Sequence, residues 1–430
     1  MTRSTYPQYL NRCGWNALLP ARENIRPLDG DRHVSLAVIG AGYTGLGAAR
    51  RWAELEPSDD IAIVDSSQLG EGNPGRNSGF LLEIALANDA DPTQMARMSE
   101  CNRLIGATMR KLCGLVADHE IDCELERAGT YRAAAGDAGR RALASYEQFL
   151  ERAGLPWERL DRDQLESRLG TRFYAEGLYS PHCYLAQPAA LIRGLADALP
   201  PSVTIYESTP ALSIEPLQTG WRVRTPAGAL ACDRLVLANN AFTKQLGVGR
   251  SRLVAMYTYA GLTAPLPARV LGTLGRVENW GLLPAHRLGS TLRRTRDGRL
   301  LIRSHYGYER ETDNGRIAAR LADGLRRRYP QLQKVAFEHV WAGATGFTFN
   351  GSPIWGEHAP GLFVSSGCNG GGVVKGTLFG ELLADLAAGR AVPDMRRLFG
   401  NASWMPPEPI RELGFRIISG LERRQGRAEM

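Results

Sequence analysis

The chain of 430 residues lacks the features that mark several common protein classes. Its seven cysteines are scattered and form no CxxC pair, which argues against metal binding and redox-active cysteines and fits reduced thiols. No apolar run approaches the roughly twenty residues that a membrane helix needs. The opening residues also lack the apolar core of a signal peptide. The sequence therefore predicts a soluble, cytoplasmic protein with no metal and no membrane span.

Lysine is also scarce, since only four of the 52 basic residues are lysines and arginine carries the net charge of +7. The arginines are spread along the chain, and the densest run, Arg326–Arg328, falls on the solvent face of a predicted helix. The basic and aromatic residues are not interleaved in the way that favours nucleic-acid binding. We therefore predict that nucleic acid is not a partner.

What the chain does contain is a glycine-rich turn near its start, in the stretch LAVIGAGYTGLGAARR. The apolar run Leu36–Ile39 leads into Gly40, Gly42 and Gly45, and a second apolar run ends in Asp65. In such a unit the glycines permit a sharp turn, close approach of a pyrophosphate, and close packing of helix on strand. The helix start offers N–H groups to phosphates, and the acid can accept hydrogen bonds from both ribose hydroxyls. The unit predicts a dinucleotide without a 2′-phosphate, which Asp65 would repel.

A second glycine cluster, Gly370–Gly372, follows a buried apolar run near the other end of the chain. It could open a second dinucleotide fold, but the sequence has no acid-tipped strand after it. The alternative is a helix start that points at an isoalloxazine ring, where its N–H groups and dipole would stabilise negative charge on reduced flavin. One FAD is long enough to reach from the first cluster to the second, so the sequence favours FAD over NAD.

Strand and helix patterns recur in separate blocks of the chain. Three βαβ-like blocks alternate with a helical stretch and with a stretch of alternating strands that turns at Asp297–Gly298. We predict an α+β protein in which a Rossmann-like, α/β FAD domain carries an inserted substrate domain built on an antiparallel sheet. The predicted boundaries are 1–33 for an N-terminal arm, 34–90, 170–245 and 340–395 for the discontinuous FAD-binding domain, 91–169 and 246–339 for the substrate domain, and 396–430 for a C-terminal tail.

Four stretches, in this order, resemble the D-amino-acid oxidase-like family of FAD-dependent oxidoreductases, which includes glycine oxidase, sarcosine oxidase and gamma-glutamylputrescine oxidase. GAGYTGLGAARR is similar to the family's FAD fingerprint, and GNPGRNSGF resembles the loop after its second strand. RLVLANNAF resembles a buried strand of the family, and GLFVSSGCNGGGVVKGTLFGELLADL resembles its last strand and helix. The start, GWNALLP followed by PLDGD, is similar to the gamma-glutamylputrescine oxidase subgroup.

The resemblance implies that FAD is bound noncovalently, because no cysteine or histidine occupies the loops where relatives bond the flavin. It also implies that Arg76 and the three residues after it line the pyrophosphate and the flavin. The predicted FAD-binding residues are Gly40, Gly42, Tyr43, Thr44, Gly45, Asp65, Ser66, Arg76, Asn77, Ser78, Gly79, Ala211, Ala238, Asn239, Gly343, Gly370, Gly371, Gly372, Val373 and Val374.

The resemblance further implies an oxidoreductase that acts on the C–N bond of an amine or amino acid. Hydride would pass from the carbon next to nitrogen to flavin N5, the imine would hydrolyse, and oxygen would reoxidise the flavin to give hydrogen peroxide. An amine dehydrogenase that uses a quinone or an electron-transfer protein would share every motif. Two further alternatives are a flavoprotein that modifies an RNA base and a non-catalytic FAD-binding protein.

The substrate pocket carries less sequence signal than the cofactor site. Many members of the family have a carboxylate-binding arginine where this chain has Ala344 and Thr345, a histidine in place of Gly371, and a lysine one position before Lys375. These departures favour an amine, or an amino acid held by a different arginine. Each candidate side chain could instead serve packing or lie on the surface. The predicted pocket residues are Tyr257 and Tyr259 on one strand face, Arg303 and His305 on one face of another strand with Tyr306 and Tyr308 on its opposite face, Trp341, and Lys375.

Overall fold

The computed structural model describes residues 4–85, 89–312 and 314–430. Its strands are β1 Arg32–Ile39, β2 Ile61–Val64, β3 Phe80–Leu82, β4 Thr130–Ala134, β5 Glu158–Asp161, β6 Glu176–Ser180, β7 Cys183–Leu185, β8 Val203–Tyr206, β9 Ser213–Pro216, β10 Trp221–Thr225, β11 Gly228–Leu237, β12 Val254–Thr263, β13 Trp280–Pro284, β14 Thr291–Arg294, β15 Leu300–Tyr308, β16 Phe337–Phe347, β17 Ile354–Ala359 and β18 Leu362–Ser366. Its α-helices are α1 Gly14–Ala17, α2 Tyr43–Leu55, α3 Asn73–Arg76, α4 Met95–Asp118, α5 Asp137–Arg152, α6 Arg162–Leu169, α7 Pro188–Asp197, α8 Ala268–Leu271, α9 Asn314–Arg328, α10 Val374–Ala387, α11 Met395–Phe399 and α12 Ile410–Gln425. Short 3-10 helices span Asn240–Leu246, Pro330–Leu332 and Arg427–Glu429.

The first large sheet has the strand order β17-β18-β11-β1-β2-β8, with β10 and β9 added in antiparallel fashion beside β11. Strands β8, β2, β1, β11 and β18 run parallel, and the edge strand β17 is antiparallel. Ile39, at the end of β1, lies opposite both Val64 and Leu237. Leu36 enters the core beneath α2 and α10, whereas Ile39 enters the core on the other face. Both faces are therefore covered, as a parallel sheet requires.

Helices α2 and α10 approach each other closely because glycines line their contact. A Cβ atom added at Gly47 would lie 2.9 Å from the carbonyl oxygen of Thr377, and one added at Gly380 would lie 2.0 Å from the carbonyl oxygen of Thr44. Side chains at these two positions would hold the helices apart. The glycines within both helices thus fix the distance between the two segments that carry the predicted FAD motifs.

The second large sheet has the order β16-β12-β15-β14-β13-β4-β6-β5. Its neighbours pair antiparallel except for β13 and β4, which pair in parallel. The predicted hairpin is confirmed: β14 and β15 pair next to a turn in which Gly298 has a φ of +78°. Helix α9 covers one face of this sheet through Leu321 and Leu325, which belong to its main apolar core. A small third sheet pairs β3 with β7.

These sheets confirm the predicted α+β class with a Rossmann-like part. Two strands nevertheless differ from the predicted blocks. β6 lies within 170–245 and β16 overlaps the start of 340–395, yet both strands belong to the second sheet. The chain crosses between the sheets inside these blocks, and strand patterns alone do not reveal which sheet a strand joins. The other domain boundaries stay predictions. Of the helices in the described ranges, none is both long and apolar enough to cross a membrane.

Candidate functional site

A cavity of about 940 Å³ extends from the C-terminal ends of β1 and β2 to one face of the second sheet. Its wall includes the first glycine turn, the loop after β2, the start of α10, and parts of β12, β15 and β16. Pockets that hold a cofactor have volumes of this order. The structure therefore joins the two glycine clusters and the predicted substrate strands around one space.

The first glycine turn is a cradle that side chains would fill. Gly40 has a φ of +107°, a conformation that favours glycine. A Cβ atom at Gly45 would lie only 1.9 Å from the carbonyl oxygen of Gly40, so the third glycine serves the packing of α2 on the turn. Gly42, Tyr43 and Thr44, at the start of α2, line the cavity. The first N–H groups of this helix are therefore available to phosphate oxygens.

Asp65 closes the same end of the cavity at the tip of β2. Its carboxylate accepts hydrogen bonds from the N–H of Ala41 at 2.8 Å, the N–H of Ser67 at 2.9 Å and the hydroxyl of Ser67 at 3.0 Å. Burial raises the pKa of Asp65, and the nearby carboxylate of Glu207 acts in the same direction. Asp65 also lines the cavity, so its remaining acceptor site, on Oδ2, can accept a hydrogen bond from a ribose.

Arg76 is held mainly by contacts within the protein. Its guanidinium is buried and donates to the carbonyl oxygens of Ala342 at 2.9 Å, Glu71 at 2.6 Å and Asn11 at 2.9 Å. It also lies 3.7 Å from the centre of the Tyr9 ring. These contacts tie the N-terminal arm to α3 and β16, and the carboxylate of Glu71 pairs with the guanidinium at 3.2 Å. Arg76 also lines the cavity and keeps one N–H of Nη1, so its contact with a pyrophosphate stays a prediction.

Gly79 was predicted to bind FAD, but the structure gives it a packing role. It has a φ of +81°, and a Cβ atom there would lie 2.0 Å from Nη1 of Arg293 and 2.2 Å from the carbonyl oxygen of Ala186. The glycine therefore serves packing between the loop and β14. Asn77 and Ser78, by contrast, line the cavity as predicted.

The start of α10 forms the opposite part of the cofactor end. Gly370, with a φ of +89°, leads through Gly371 and Gly372 to Val373 and Val374, and all five residues line the cavity. Because α2 and α10 are packed through their glycines, both helix starts border one space. Two positive helix ends at one cavity suit a ligand that carries phosphates and a ring able to accept negative charge.

The remaining predicted cofactor residues lie on the wall between these ends. The Oδ1 atom of Asn239 is buried and has no hydrogen-bond partner within the described part of the chain, which leaves an acceptor for a bound ligand. Together with the glycine cradle, this orphaned atom shows that the residues present fit FAD. The other predicted residues that line the cavity are Ser66, Ala211, Ala238 and Gly343.

On the substrate side, a β-bulge changes which residues of β15 face the cavity. The register between β12 and β15 shifts at Thr258/Tyr259, where Thr258 lies opposite Tyr306 and Tyr259 lies opposite Ser304. His305 is the extra residue and has a φ of +61°, a left-handed conformation. As a result Arg303 and Tyr306, three positions apart, both line the cavity together with Thr258.

Five predicted pocket residues lie outside the cavity lining: Tyr257, Tyr259, His305, Tyr308 and Trp341. Tyr308 instead donates its hydroxyl to a carboxylate oxygen of Glu408 at 2.6 Å. Tyr259 is buried on the α9 side, where its hydroxyl contacts the hydroxyl of Thr312 at 2.8 Å, and Tyr257 is buried in the same core. The pKa of His305 is lowered by burial and by the positive charge of Arg320 on α9. Trp341 is fully buried against Trp15, with its indole N–H donating to the carbonyl oxygen of Arg76. The alternation of β12 was correct, but the face chosen for the cavity was wrong.

Arg303 is the cation on the substrate side of the cavity. Its guanidinium donates to the hydroxyl of Thr258 from Nε at 2.6 Å and from Nη2. Within residues 4–85, 89–312 and 314–430 it forms no ion pair, and burial lowers its pKa. Arginine nevertheless stays protonated in proteins. Tyr306 beside it donates its hydroxyl to the carbonyl oxygen of Arg287. The cavity thus presents a buried positive charge with donors left for an anionic group.

Lys375 also lines the cavity, one residue inside the start of α10. Its ammonium group lies 2.8 Å from a carboxylate oxygen of Asp89, so much of its charge is paired. Cavity residues that the sequence analysis did not single out include Thr5, Tyr6 and Pro7 of the arm, Arg97, Met98 and Cys101 of α4, and Thr258 and Phe347 of the second sheet. In the sequence, these residues follow patterns that are typical of ordinary packing. The arm alone carried a signal, through its resemblance to one subgroup of the family.

Comparisons with known proteins agree with this geometry. A profile of the family described as FAD dependent oxidoreductase matches residues 35–386. Probable oxidoreductase OrdL of Rhizobium meliloti (strain 1021) is 29% identical over 387 residues, covering 88% of each chain. Gamma-glutamylputrescine oxidoreductase of Escherichia coli (strain K12) is 25% identical over 366 residues, covering 83% of this chain and 84% of the relative. The crystal structure of glycine oxidase from Geobacillus kaustophilus has the same fold, with a TM-score of 0.74 at 20% identity over 87% of this chain and 100% of that one.

Proposed function

The chain belongs to the FAD-dependent oxidoreductase family, with FAD as its cofactor, and from that premise we propose that it oxidises the C–N bond of an amine or amino acid. The observation that carries this proposal is the continuity of the cavity. It runs from the glycine turn and Asp65, past the start of α10, to the face that carries Arg303 and Tyr306. A cofactor and a small substrate can therefore meet in one space.

The residues at the cofactor end would bind and orient FAD. The start of α2 would hold the phosphates, and Asp65 would accept a hydrogen bond from the adenosine ribose. The start of α10 would place its positive end near the ring system. When bound, FAD supplies the hydride acceptor for the carbon next to nitrogen and passes the electrons on to oxygen, so that imine and hydrogen peroxide are the products.

The residues at the substrate end favour an amino compound that carries a carboxylate. Arg303 would hold that carboxylate through the donors that Thr258 leaves free. Tyr306 and Phe347, which line the same part of the cavity, would exclude water from the reacting carbon. The same arrangement agrees with the substrates in the names of similar proteins, gamma-glutamylputrescine and glycine, which carry carboxylate groups.

The test is a substrate screen with the FAD-loaded protein under anaerobic conditions. Each amine is mixed with the protein, and loss of the flavin absorbance band is followed. We expect rapid loss with at least one carboxylate-bearing amine and slower loss with the amine of equal length that lacks the carboxylate. If no amine or amino acid reduces the flavin while dithionite does, the proposed reaction is wrong.

Peroxide formation under air then separates an oxidase from a dehydrogenase. An oxidase forms about one peroxide for each substrate oxidised. Flavin reduction by substrate with no peroxide, followed by reoxidation with a quinone or an electron-transfer protein, would instead identify a dehydrogenase. A cation near the flavin ring would assist the reaction with oxygen, but the charge of Lys375 is paired with Asp89. The electron acceptor therefore has to be determined by measuring peroxide.

A further inference from the structure

Helix α12 carries a row of apolar side chains that faces away from the protein. Ile410, Leu413, Ile417 and Leu421 follow one another at spacings of three and four residues, and 60%, 60%, 56% and 53% of their surfaces are exposed. This spacing puts them on one side of the helix. A continuous exposed apolar row of this kind marks an interaction surface more often than isolated exposed residues do.

The opposite side of α12 is attached to the protein, so the exposed row has a fixed orientation. Phe415 stacks on Tyr308 with 5.0 Å between the ring centroids. Glu422 forms an ion pair with Arg287 at 3.1 Å, and its carboxylate also lies 3.2 Å from Nε2 of His286. The helix therefore lies against the second sheet and presents its apolar row outward as part of the folded structure.

The acidic and basic side chains near the apolar row have different surroundings. Glu429 is buried and accepts hydrogen bonds from the N–H groups of Ala135 and Gly136. Arg423 and Arg424, by contrast, are exposed, and neither forms an ion pair with any part of the chain that the structure describes. Glu412 pairs with Arg416 on α12 itself, so the cations that remain unpaired at the end of the helix are Arg423 and Arg424, within the part of the chain that the structure describes.

Helix α9 adds further cations next to this surface. The pKa of His305 is lowered first by burial and then by the positive charges of Arg320, Arg423 and Arg327. Arg320 and Arg327 belong to α9, and Arg423 belongs to α12. Arg320 and Arg327 are exposed, as are Arg423 and Arg424 at the end of α12, so both helices carry positive charge on the surface.

We propose that α12 docks on a membrane surface that contains anionic phospholipids. The apolar row would enter the boundary between headgroups and acyl chains, and the surrounding arginines would contact lipid phosphates. A second copy of the chain fits less well, because a twofold contact through this face would bring the same arginines together. Tyr308 contacts α12 and lies on β15 beside cavity residues, so docking would bring the substrate end of the cavity towards the bilayer.

The test is co-sedimentation of the FAD-loaded full chain with two kinds of vesicle, phosphatidylcholine alone and phosphatidylcholine mixed with phosphatidylglycerol. We expect binding to the anionic vesicles that is at least about tenfold tighter than to the neutral ones and that weakens with salt. The double variant Leu413→Ser/Ile417→Ser should lower this affinity by about tenfold or more, since it removes apolar contact area. Arg423→Glu/Arg424→Glu should abolish the preference for anionic lipid.

The matched control is Leu10→Ser, which removes another exposed leucine, 62% of whose surface is accessible, outside α12. It should leave vesicle binding unchanged. Flavin content and far-ultraviolet circular dichroism should be the same for all variants, because the substituted side chains are exposed. Absence of vesicle binding by the unchanged protein, or equal binding by the serine double variant, would overturn the proposal. A dimer in analytical ultracentrifugation that the serine double variant dissociates would do the same and would assign the row to a second copy.

Discussion

The two ends of the cavity are built in different ways. The cofactor end is formed mainly by backbone: glycines at 40, 42 and 370–372 and two helix starts, each contained in a short stretch of sequence. The substrate end is formed by side chains that arrive from β12, β15 and β16. Backbone shape depends on local residue types, whereas side-chain direction depends on register. Binding at the cofactor end should therefore be lost when a substitution adds atoms to a glycine. Activity at the substrate end should be lost when a substitution changes the functional group of a side chain.

The largest effect is expected from Gly45→Ala, which breaks the cofactor end. The added Cβ atom would lie 1.9 Å from the carbonyl oxygen of Gly40, so either the turn or α2 must move. We expect loss of bound FAD, measured as the ratio of flavin to protein absorbance after gel filtration, and a fall of several kcal/mol in stability, on the order of an overpacked core site.

The matched control is Gly114→Ala in α4, where an added Cβ atom meets nothing within 4 Å. This variant should keep its FAD and be equally stable or more stable, by up to about 1 kcal/mol. If Gly45→Ala retains FAD as well as Gly114→Ala does, the close packing of α2 on the turn is not required for binding.

A smaller and more selective effect is expected from Arg303→Gln, which breaks the substrate end alone. The variant should keep FAD, but kcat/KM for a carboxylate-bearing amine should fall by about 100-fold, since the charged partner of the carboxylate is lost. Steady-state kinetics with and without the carboxylate on the substrate measure this difference.

Arg303→Lys serves as the conservative comparison and should recover part of the activity, because it keeps the charge but not the fork of donors. An equal loss for amines with and without a carboxylate would show that Arg303 acts on the pocket in general rather than on the anion. Loss of FAD from Arg303→Gln would mean that the two ends of the cavity cannot be separated.

The smallest effect is expected from His305→Asn, which tests the bulge that distinguishes the substrate end. Asparagine tolerates the φ of +61°, so the bulge should remain. The folded protein lowers the pKa of His305 below its usual 6.5, so the unfolded chain binds more protons below that pH. The unchanged protein should therefore lose stability as the pH falls below 6.5, by less than about 1 kcal/mol for this half-exposed group. The variant, which has no imidazole at this position, should not show that loss.

Urea unfolding at several pH values between neutrality and acid measures this small difference. His182, whose pKa is also lowered by burial, contributes a slope of the same sign in both proteins and serves as the internal reference. An unchanged pH dependence in His305→Asn would contradict the assignment of His305 to the buried side of β15.

Particular residues show how far sequence reasoning reached. The glycine spacing, Asp65 and the turn at Gly298 were predictable because each is fixed by backbone conformation within a few residues. Tyr257 and Tyr259 were correctly assigned to one face of a strand, but the sequence could not show that Thr258 faces the cavity. Arg76 was placed in the right loop, whereas the direction of its guanidinium depends on Ala342 and Asn11, which are distant in sequence.

The sequence by itself determined the α+β class and the dinucleotide turn, because these follow from steric rules that act over short distances, and it predicted that the two glycine-rich helix starts meet because one FAD is long enough to reach both. Tertiary structure decided which face of β12 and β15 borders the cavity, and it did so through one extra residue, His305, that reverses the alternation after it. It also decided that the charge of Arg76 is paired with Glu71 while Arg303 forms no ion pair within the described residues, since the partners of each cation are set by how the chain folds.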